Sequence, residues 1–387
     1  MAKDMDQRIR VMRIIARMNV GGPAVQVSGL MRGLDPSKFE QRLVTGFCAE
    51  DESDYLDTVA TDVTATRIKG LGRSISPKAD FFAFIQVIRE IRKFRPDIIH
   101  THTAKAGVIG RVASLLSGRG SIRVHTYHGH LLQGYFGKVK TSLVIIIEKF
   151  LALFTTKLLA VGKKVMDDLL DAGIGSAEKF AIMPPGLKLD PLPARDLACA
   201  ELGLDPSLTN AAFIGRITKI KRPDRFLDVV AELQRQKIPV HFIVAGAGDL
   251  FEYCKERVSA ENLSVTFLGW REDIETVLAA ADLVLLTSDN EGTPLSLIQA
   301  GMAKIPVVST NVGSVGEIVV DQETGILTDL TSRSIVEAVK ELIADVDLRE
   351  DMGLAAYDYT MQRYGVERLV SDHENLYLTL ISVQASS

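Results

Sequence analysis

Within "SDNEGTPLSLIQAG" (288–301) a carboxylate, Glu291, stands just ahead of a predicted helix start, and an amide, Gln299, follows eight residues later. Thr293 is a good N-cap type and Pro294 suits the first helical position, so the spacing predicts a helix opening there. A helix N-terminus offers unpaired N–H groups and the positive end of a dipole to an anion, while Glu291, outside the helix, can accept hydrogen bonds from hydroxyls. Together they suit a ligand with both phosphate and polyol parts. Taken singly, Glu291 reads equally as a solvated loop acid and Gln299 as a surface amide. Upstream, "FIGRITKIKRPDRFLD" (213–228) closes a strand with Gly215 and supplies Arg216, Lys219, Lys221 and Arg222 before a helix at Pro223. A forked guanidinium and a compact ammonium beside a strand end suit a diphosphate, although lysines in a loop are also simply solvated.

The first half carries a second set. In "MNVGGPAVQVSGL" (18–30), Gly21 and Gly22 stand between a strand and a helix, where the missing Cβ allows backbone to approach a phosphate or an acceptor closely. The dinucleotide pattern G-x-G-x-x-G is absent, and "GAGDLF" is incomplete. Five of the seven histidines fall in "HTH" (100–102) and "HTYHGH" (125–130). No cysteine or acid accompanies them, so no metal is expected; His128 reads either as a site residue or as a histidine bonded at a strand end.

The elements that must position these residues form two series of short β-branched runs alternating with amphipathic helical stretches. "RVMRIIAR" (10–17), "RLVTGF" (42–47), "PDIIHTH" (96–102), "SIRVHTYH" (121–128) and "KLLAVG" (157–162) make the first. "NAAFIGR" (210–216), "VHFIVAGAG" (240–248), "VTFLG" (265–269), "ADLVLLTS" (281–288) and "IPVVST" (305–310) make the second. The fold class implied is α/β, with two Rossmann-like, doubly wound parallel sheets in tandem. Boundaries are expected at 1–186 for the first domain, 187–206 for a proline-rich linker, 207–364 for the second domain and 365–387 for a terminal helix that could cross back to the first. In such sheets ligands bind beyond the carboxyl ends of the strands, where the motifs above lie.

Composition bounds the rest. The formal charge of −4 hides an asymmetry: residues 1–186 carry 27 Lys+Arg against 18 Asp+Glu, and the remainder 18 against 31. Three widely spaced cysteines with no CxxC pair fit a reducing, cytoplasmic setting, and the charged start lacks the apolar region of a signal peptide. The most apolar run, 141–162, is interrupted by Glu148, Lys149 and Lys157. Apolar and basic residues mix in 76–95 and 131–154, with Tyr135, Phe136, Lys138 and Lys140 expected at the surface. Part of each stretch must be core, yet the basic first half would also suit peripheral contact with an anionic membrane at its inner face.

The ordered set GGP (21–23), "HTYHG" (125–129), "GRITKIK" (215–221), "GAGD" (246–249), "FLGW" (267–270) and "EGTPLSLIQAGMAKIPVVS" (291–309) resembles the large retaining glycosyltransferase family 4, of GT-B fold, over nearly the whole chain. The resemblance implies two Rossmann-like domains facing across a cleft, an acceptor-binding first domain and a second that binds a nucleotide-diphosphate sugar such as a UDP- or GDP-sugar. Carried onto matching positions, it makes Arg216 and Lys221 ligands of the donor diphosphate, and sets the backbone N–H groups around Thr293 and Leu295, in the donor-binding turn that also holds Gly292 and Pro294, against the phosphate. Glu291 would contact the donor sugar, His128 would lie near the reacting sugar, and Gly22 would belong to the glycine pair of the first domain. The family's second acid, a ribose ligand, is here Gln299, which can still bond one hydroxyl but loses the charge-assisted bond. No cofactor or metal is implied; the D-x-D runs at 4–6 and 345–347 read as surface. The function implied is retaining transfer of a sugar to a glycan, lipid-linked or small-molecule acceptor in envelope or surface polysaccharide biosynthesis, with no nucleic-acid partner. A nucleotide-sugar epimerase of the same fold and a non-catalytic nucleotide-sugar binder are the alternatives.

Overall fold

The computed structural model describes residues 8–50, 52–129 and 138–386, with side chains from 141 in the last stretch. The chain divides into two compact units, Met1–Leu187 with Tyr364–Ser387, and Lys188–Arg363. The proline-rich stretch read as a linker carries the helix Arg195–Leu202 and stands in the second unit. Its prolines at 191, 193 and 206 all lie outside that helix, so they bound it rather than break it.

In the first unit, β1 (Ile9–Ile15), β2 (Phe39–Thr45), β3 (Ala65–Arg67), β4 (Ile98–His102), β5 (Ile122–Tyr127), β6 (Lys157–Ala160) and β7 (Phe180–Ile182) form a parallel sheet in the order β3-β2-β1-β4-β5-β6-β7. Its central strands are covered on both faces, which is why they read as unbroken apolar runs. On one face Met12, Ile14, Val44 and Ile99 pack with Val87 and Ile91 of the helix Pro77–Phe94 and with Ala106 and Ala113 of the helix Ala104–Leu116. On the other, Val11, Phe39, Ile98 and Val124 meet Tyr377 of the terminal helix Val366–Ser386. That helix lies tight against Gly22–Gly33, where a Cβ on Gly33 would stand 2.3 Å from Val370 Cγ2.

The second unit repeats the plan. β8 (Thr209–Ile214), β9 (Val240–Ala245), β10 (Val265–Gly269), β11 (Leu283–Leu286), β12 (Val307–Thr310) and β13 (Gly325–Thr328) are parallel in the order β10-β9-β8-β11-β12-β13. The strand order therefore reverses between β1 and β4 in one sheet and between β8 and β11 in the other, and the loops leaving those strands frame a crevice at each reversal.

Beneath the terminal helix the first unit buries polar groups. Arg13 is fully buried; its Nη1 donates to Gln41 Oε1 at 2.5 Å and its Nη2 to the Tyr377 hydroxyl at 3.4 Å. A guanidinium only donates, so the Tyr377 oxygen accepts from Arg13, and its hydroxyl hydrogen, which has no other acceptor among the described residues, goes to His100 Nδ1 at 2.6 Å. The His100 proton then sits on Nε2, which donates to Thr126 Oγ1 at 2.7 Å. The His373 ring stacks on His100 with centroids 5.8 Å apart, and His125 Nδ1 bonds Thr101 Oγ1 at 2.8 Å. Burial pushes His100, His102 and His125 well below the ordinary value of 6.5, and His128 and His373 down to about 3.

In the unfolded chain these histidines take up protons near 6.5, whereas in the fold they do not until far lower pH. Between those limits the unfolded state binds more protons, so their contribution to stability is complete above about pH 6.5 and is lost as pH falls. The thermal midpoint, followed by circular dichroism, is expected to drop by several degrees or more from about pH 7.5 to about pH 5. A midpoint that stays level over that range would show that the histidines titrate freely in the fold.

Candidate active site

In the second unit the loop leaving β8 runs from Gly215 to Arg222 and is shaped by the loop leaving β9. A Cβ on Gly246 would stand 1.9 Å from Gly215 O, and one on Gly248 2.2 Å from Ile217 O, so both positions require glycine. Ile217 N donates to Ala247 O at 2.9 Å and Leu250 N to Ile217 O at 3.1 Å, locking the two loops together.

The loop leaving β11 is held from its other sides. Asp289 N donates to Ile220 O at 2.9 Å, Thr310 Oγ1 to Ser288 O at 2.7 Å and Ser314 N to Glu291 O at 3.1 Å. Gly313, at φ 55°, comes so close that its Cβ would lie 1.9 Å from Glu291 O. Buried Arg225 fastens the same loop, donating to Thr287 O at 2.6 Å and to Asp289 Oδ1 at 2.7 Å.

These constraints bring Lys221 and Glu291 together. Lys221 Nζ donates to Glu291 Oε1 at 2.5 Å, with the side chains 14% and 9% exposed, and Ser288 Oγ donates to the same oxygen. Arg216, on the same loop as Lys221, is exposed. Three hydroxyls on the surrounding loops, those of Thr218, Thr293 and Ser314, are buried without a hydrogen-bond partner among the described residues. Buried polar groups are ordinarily satisfied, so the arrangement is one that a polar ligand would complete.

The helix behind Glu291 differs from expectation. It spans Leu295–Met302, and Pro294, at φ −71° and ψ 105°, precedes it instead of opening it. That extended proline separates Thr293 from the first turn, so the threonine makes no capping bond. The first amides of the helix still lack intrahelical partners. Gly292 and Gln299 are half-buried.

In the first unit, Gly21 takes φ 156° and ψ 175°, a region open essentially to glycine, and Gly22 begins the helix with Pro23 in its first turn. His128 follows β5 and is half-buried; its Nε2 lies 2.9 Å from Nδ1 of fully buried His102. Thr103, after β4, has φ 65° and ψ 156°, unusual for a β-branched residue, and its hydroxyl accepts from Ala16 N at 3.2 Å across the reversal point. Among the described residues no group of three or more His, Cys, Asp or Glu is arranged to hold a metal ion. The acids at 4–6, His130, Tyr135 and Phe136 lie outside the described residues, as do the side chains of Lys138 and Lys140.

The model for "Glycosyltransferase Family 4" matches residues 20–191, and that for "Glycosyl transferases group 1" matches 200–359. The chain belongs to the group 1 glycosyltransferases of family 4. This glycosyltransferase is 27% identical over 343 residues to the UDP-Gal:alpha-D-GlcNAc-diphosphoundecaprenol alpha-1,3-galactosyltransferase of Escherichia coli, covering 85% of this chain and 86% of the relative. It is 22% identical to the Staphylococcus aureus capsular polysaccharide biosynthesis glycosyltransferase CapM, covering 85% and 89%. Its fold matches that of Anabaena Alr3699/HepE solved with UDP and glucose, at TM-score 0.80 and 19% identity over 96% of this chain and 99% of the other. The fold is GT-B.

Sequence reasoning named Lys221 and Glu291 separately, for diphosphate and for hydroxyls, and did not anticipate their direct bond. It missed Ser288, Gly313 and His102. Ser288 lay inside the quoted motif, Gly313 sits in "NVGS" after β12, and His102 was considered only as a metal ligand.

Removing the cation while leaving the acid should be costly. Lys221→Met is expected to lose about 2–3 kcal/mol in urea unfolding, and Lys221→Met with Glu291→Gln to recover most of it. Equal losses in the single and double variants would show that the two residues are not coupled.

Proposed function

We propose that this transferase moves a hexosyl group, with retention of configuration, from a nucleotide-diphosphate sugar held by the second unit to a lipid-linked or glycan acceptor held mainly by the first. The observation that carries the reading is the Lys221–Glu291 pair on the loops at the β8/β11 reversal, with Arg216 exposed on one loop and a helix start following the other. Arg216, Lys221 and the amides at Leu295 and Ser296 stabilise the charge that develops on the departing diphosphate as the anomeric C–O bond breaks. Glu291 accepts from sugar hydroxyls, and the unpartnered hydroxyls of Thr218, Thr293 and Ser314 bond oxygens of the same ligand. No protein nucleophile is assigned. A UDP-sugar is favoured as donor because the E. coli relative is named for UDP-Gal and Alr3699/HepE was solved with UDP. The names of the E. coli and S. aureus relatives support a place in surface polysaccharide assembly.

Contact with an anionic membrane is part of the reading. In the helix Lys138–Leu153, Glu148 faces inward, taking both carboxylate bonds from buried Arg111 at 2.7 Å and a third from the Tyr127 hydroxyl at 2.7 Å. That anchor leaves Leu143, Ile146, Phe150 and Leu153 exposed along the outer face, with Phe154 just beyond. An apolar outer stripe on a net basic unit suits an interfacial helix. Among the described residues no helix is long and apolar enough to cross a membrane.

UDP is expected to raise the thermal midpoint, with about 2.7 kcal/mol of stabilisation at a hundredfold excess over its Kd. UDP release from UDP-hexoses should fall by about a hundredfold or more in both Arg216→Ala and Glu291→Ala. Unchanged turnover in both would sink the site assignment. Gln299→Glu should alter donor affinity if the side chain faces the ribose.

Vesicles rich in phosphatidylglycerol are expected to sediment the protein while phosphatidylcholine vesicles do not, and Phe150→Ser with Leu153→Ser should release it. Failure to bind either vesicle would remove the membrane from the reading.

A further inference from the structure

The carboxyl ends of β4 and β5 hold a histidine pair whose hydrogen bond has a direction. His102 Nδ1 and His128 Nε2 are 2.9 Å apart, with the ring centroids 5.2 Å apart. One hydrogen lies between them, and either ring could own it. His102 Nε2 decides the matter, because it is buried and has no partner among the described residues. If His128 donated, the His102 proton would sit on Nε2 as a buried N–H with nothing among the described residues to accept it. If His102 donates from Nδ1, only a lone pair goes unfilled, which is the more commonly tolerated defect.

The surroundings rule out a His102 protonated on both nitrogens. Its ring lies 4.2 Å from that of His100, at a 31° tilt, and buried Arg13 stands beside His100 in register on β1. A second cation in this layer would face Arg13 with no carboxylate hydrogen-bonded to either, which is costly in an interior. The ring is held by its place as the last residue of β4, in register with Thr126 of β5.

We propose that His102 is a positioning residue whose Nδ1–H holds His128 in the Nδ1–H tautomer, so that His128 offers a hydrogen-bond donor, and not a base, to an oxygen of the bound sugar or acceptor. The part about ligand rests on the glycosyl-transfer reading; the tautomer does not. Neutral His128 then cannot remove the acceptor proton, which leaves proton removal to a ligand phosphate oxygen or to solvent, while its N–H helps to orient the reacting sugar.

The full-length chain labelled with nitrogen-15 histidine, observed by long-range nitrogen–proton correlation without substrate, reads the tautomer directly. His128→Gln identifies its signals. Expected are a protonated Nδ1 and a bare Nε2 on His128, mixed tautomers in His102→Ala, and the original pattern in His102→Asn, whose amide can donate from the Nδ1 position. UDP release from UDP-hexose should follow, with kcat down by up to about a hundredfold in His102→Ala, KM for the donor little changed and most of kcat restored in His102→Asn. A protonated Nε2 on His128 in the parent chain, or His102→Ala that changes neither the nitrogen shifts nor kcat, would overturn the proposal. Should the expected tautomer pattern hold while no UDP-hexose is turned over, the pairing stands and the UDP-hexose reading of the donor fails.

Discussion

Backbone packed directly against backbone is the constraint on which the charged site of the second unit depends. The turn leaving β9 crosses the turn leaving β8 at distances that no Cβ could occupy, with Gly246 against Gly215 O and Gly248 against Ile217 O. Gly313 makes the same kind of contact with Glu291 O. Each contact converts a loop, ordinarily the most variable part of a fold, into a fixed support, because amide bonds such as Ile217 N to Ala247 O and Ser314 N to Glu291 O close only when the chains approach that far. Lys221 and Glu291 are therefore presented by loops of limited freedom. Their short bond owes more to this framework than to attraction, since two mobile surface side chains would gain little from pairing.

The first unit solves a different problem. Its crevice lies above a layer in which a guanidinium and several imidazoles are buried, with no carboxylate among the described residues bonded to Arg13. A single buried cation is tolerable when donors and acceptors are passed along a chain, here Arg13 to Tyr377 to His100 to Thr126. The positive charge also discourages protonation of the neighbouring rings, so Arg13 helps keep His100 and His102 neutral. The terminal helix supplies Tyr377 and His373 to that layer, which makes the last residues of the chain part of the support beneath the histidines at the strand ends.

Much of this was legible in the sequence. All ten short β-branched runs became strands, since strands buried on both faces advertise themselves by composition. The strands not anticipated, β3, β7 and β13, are all edge strands of three, three and four residues, paired on one side only and so lacking the long apolar run of a strand buried in mid-sheet. The helix N-terminus was placed one residue early because Pro294 satisfies the composition rule for a first helical position while adopting an extended ψ that the rule does not see. The glycines were visible as motif letters, but which of them press on backbone is a property of loops brought together by the sheet. His102 illustrates the same limit: adjacency across two parallel strands decides its partner, and sequence spacing from His128 carries no trace of register.

The bond between Lys221 and Glu291 also alters what a glutamine at position 299 means. With the pair formed, one cation of the loop is already neutralised, Arg222 is paired with Asp224 and Asp289, and exposed Arg216 and Lys219 supply the remaining local charge. A second acid on the helix behind Glu291 would offset part of that charge, whereas Gln299 leaves it intact. An anion approaching these loops would compete with Glu291 for Lys221, and each added carboxylate nearby would make that competition harder. An amide at position 299 therefore adds no negative charge to the loops, whereas a carboxylate there would lower the attraction of Arg216 and Lys219 for any anion.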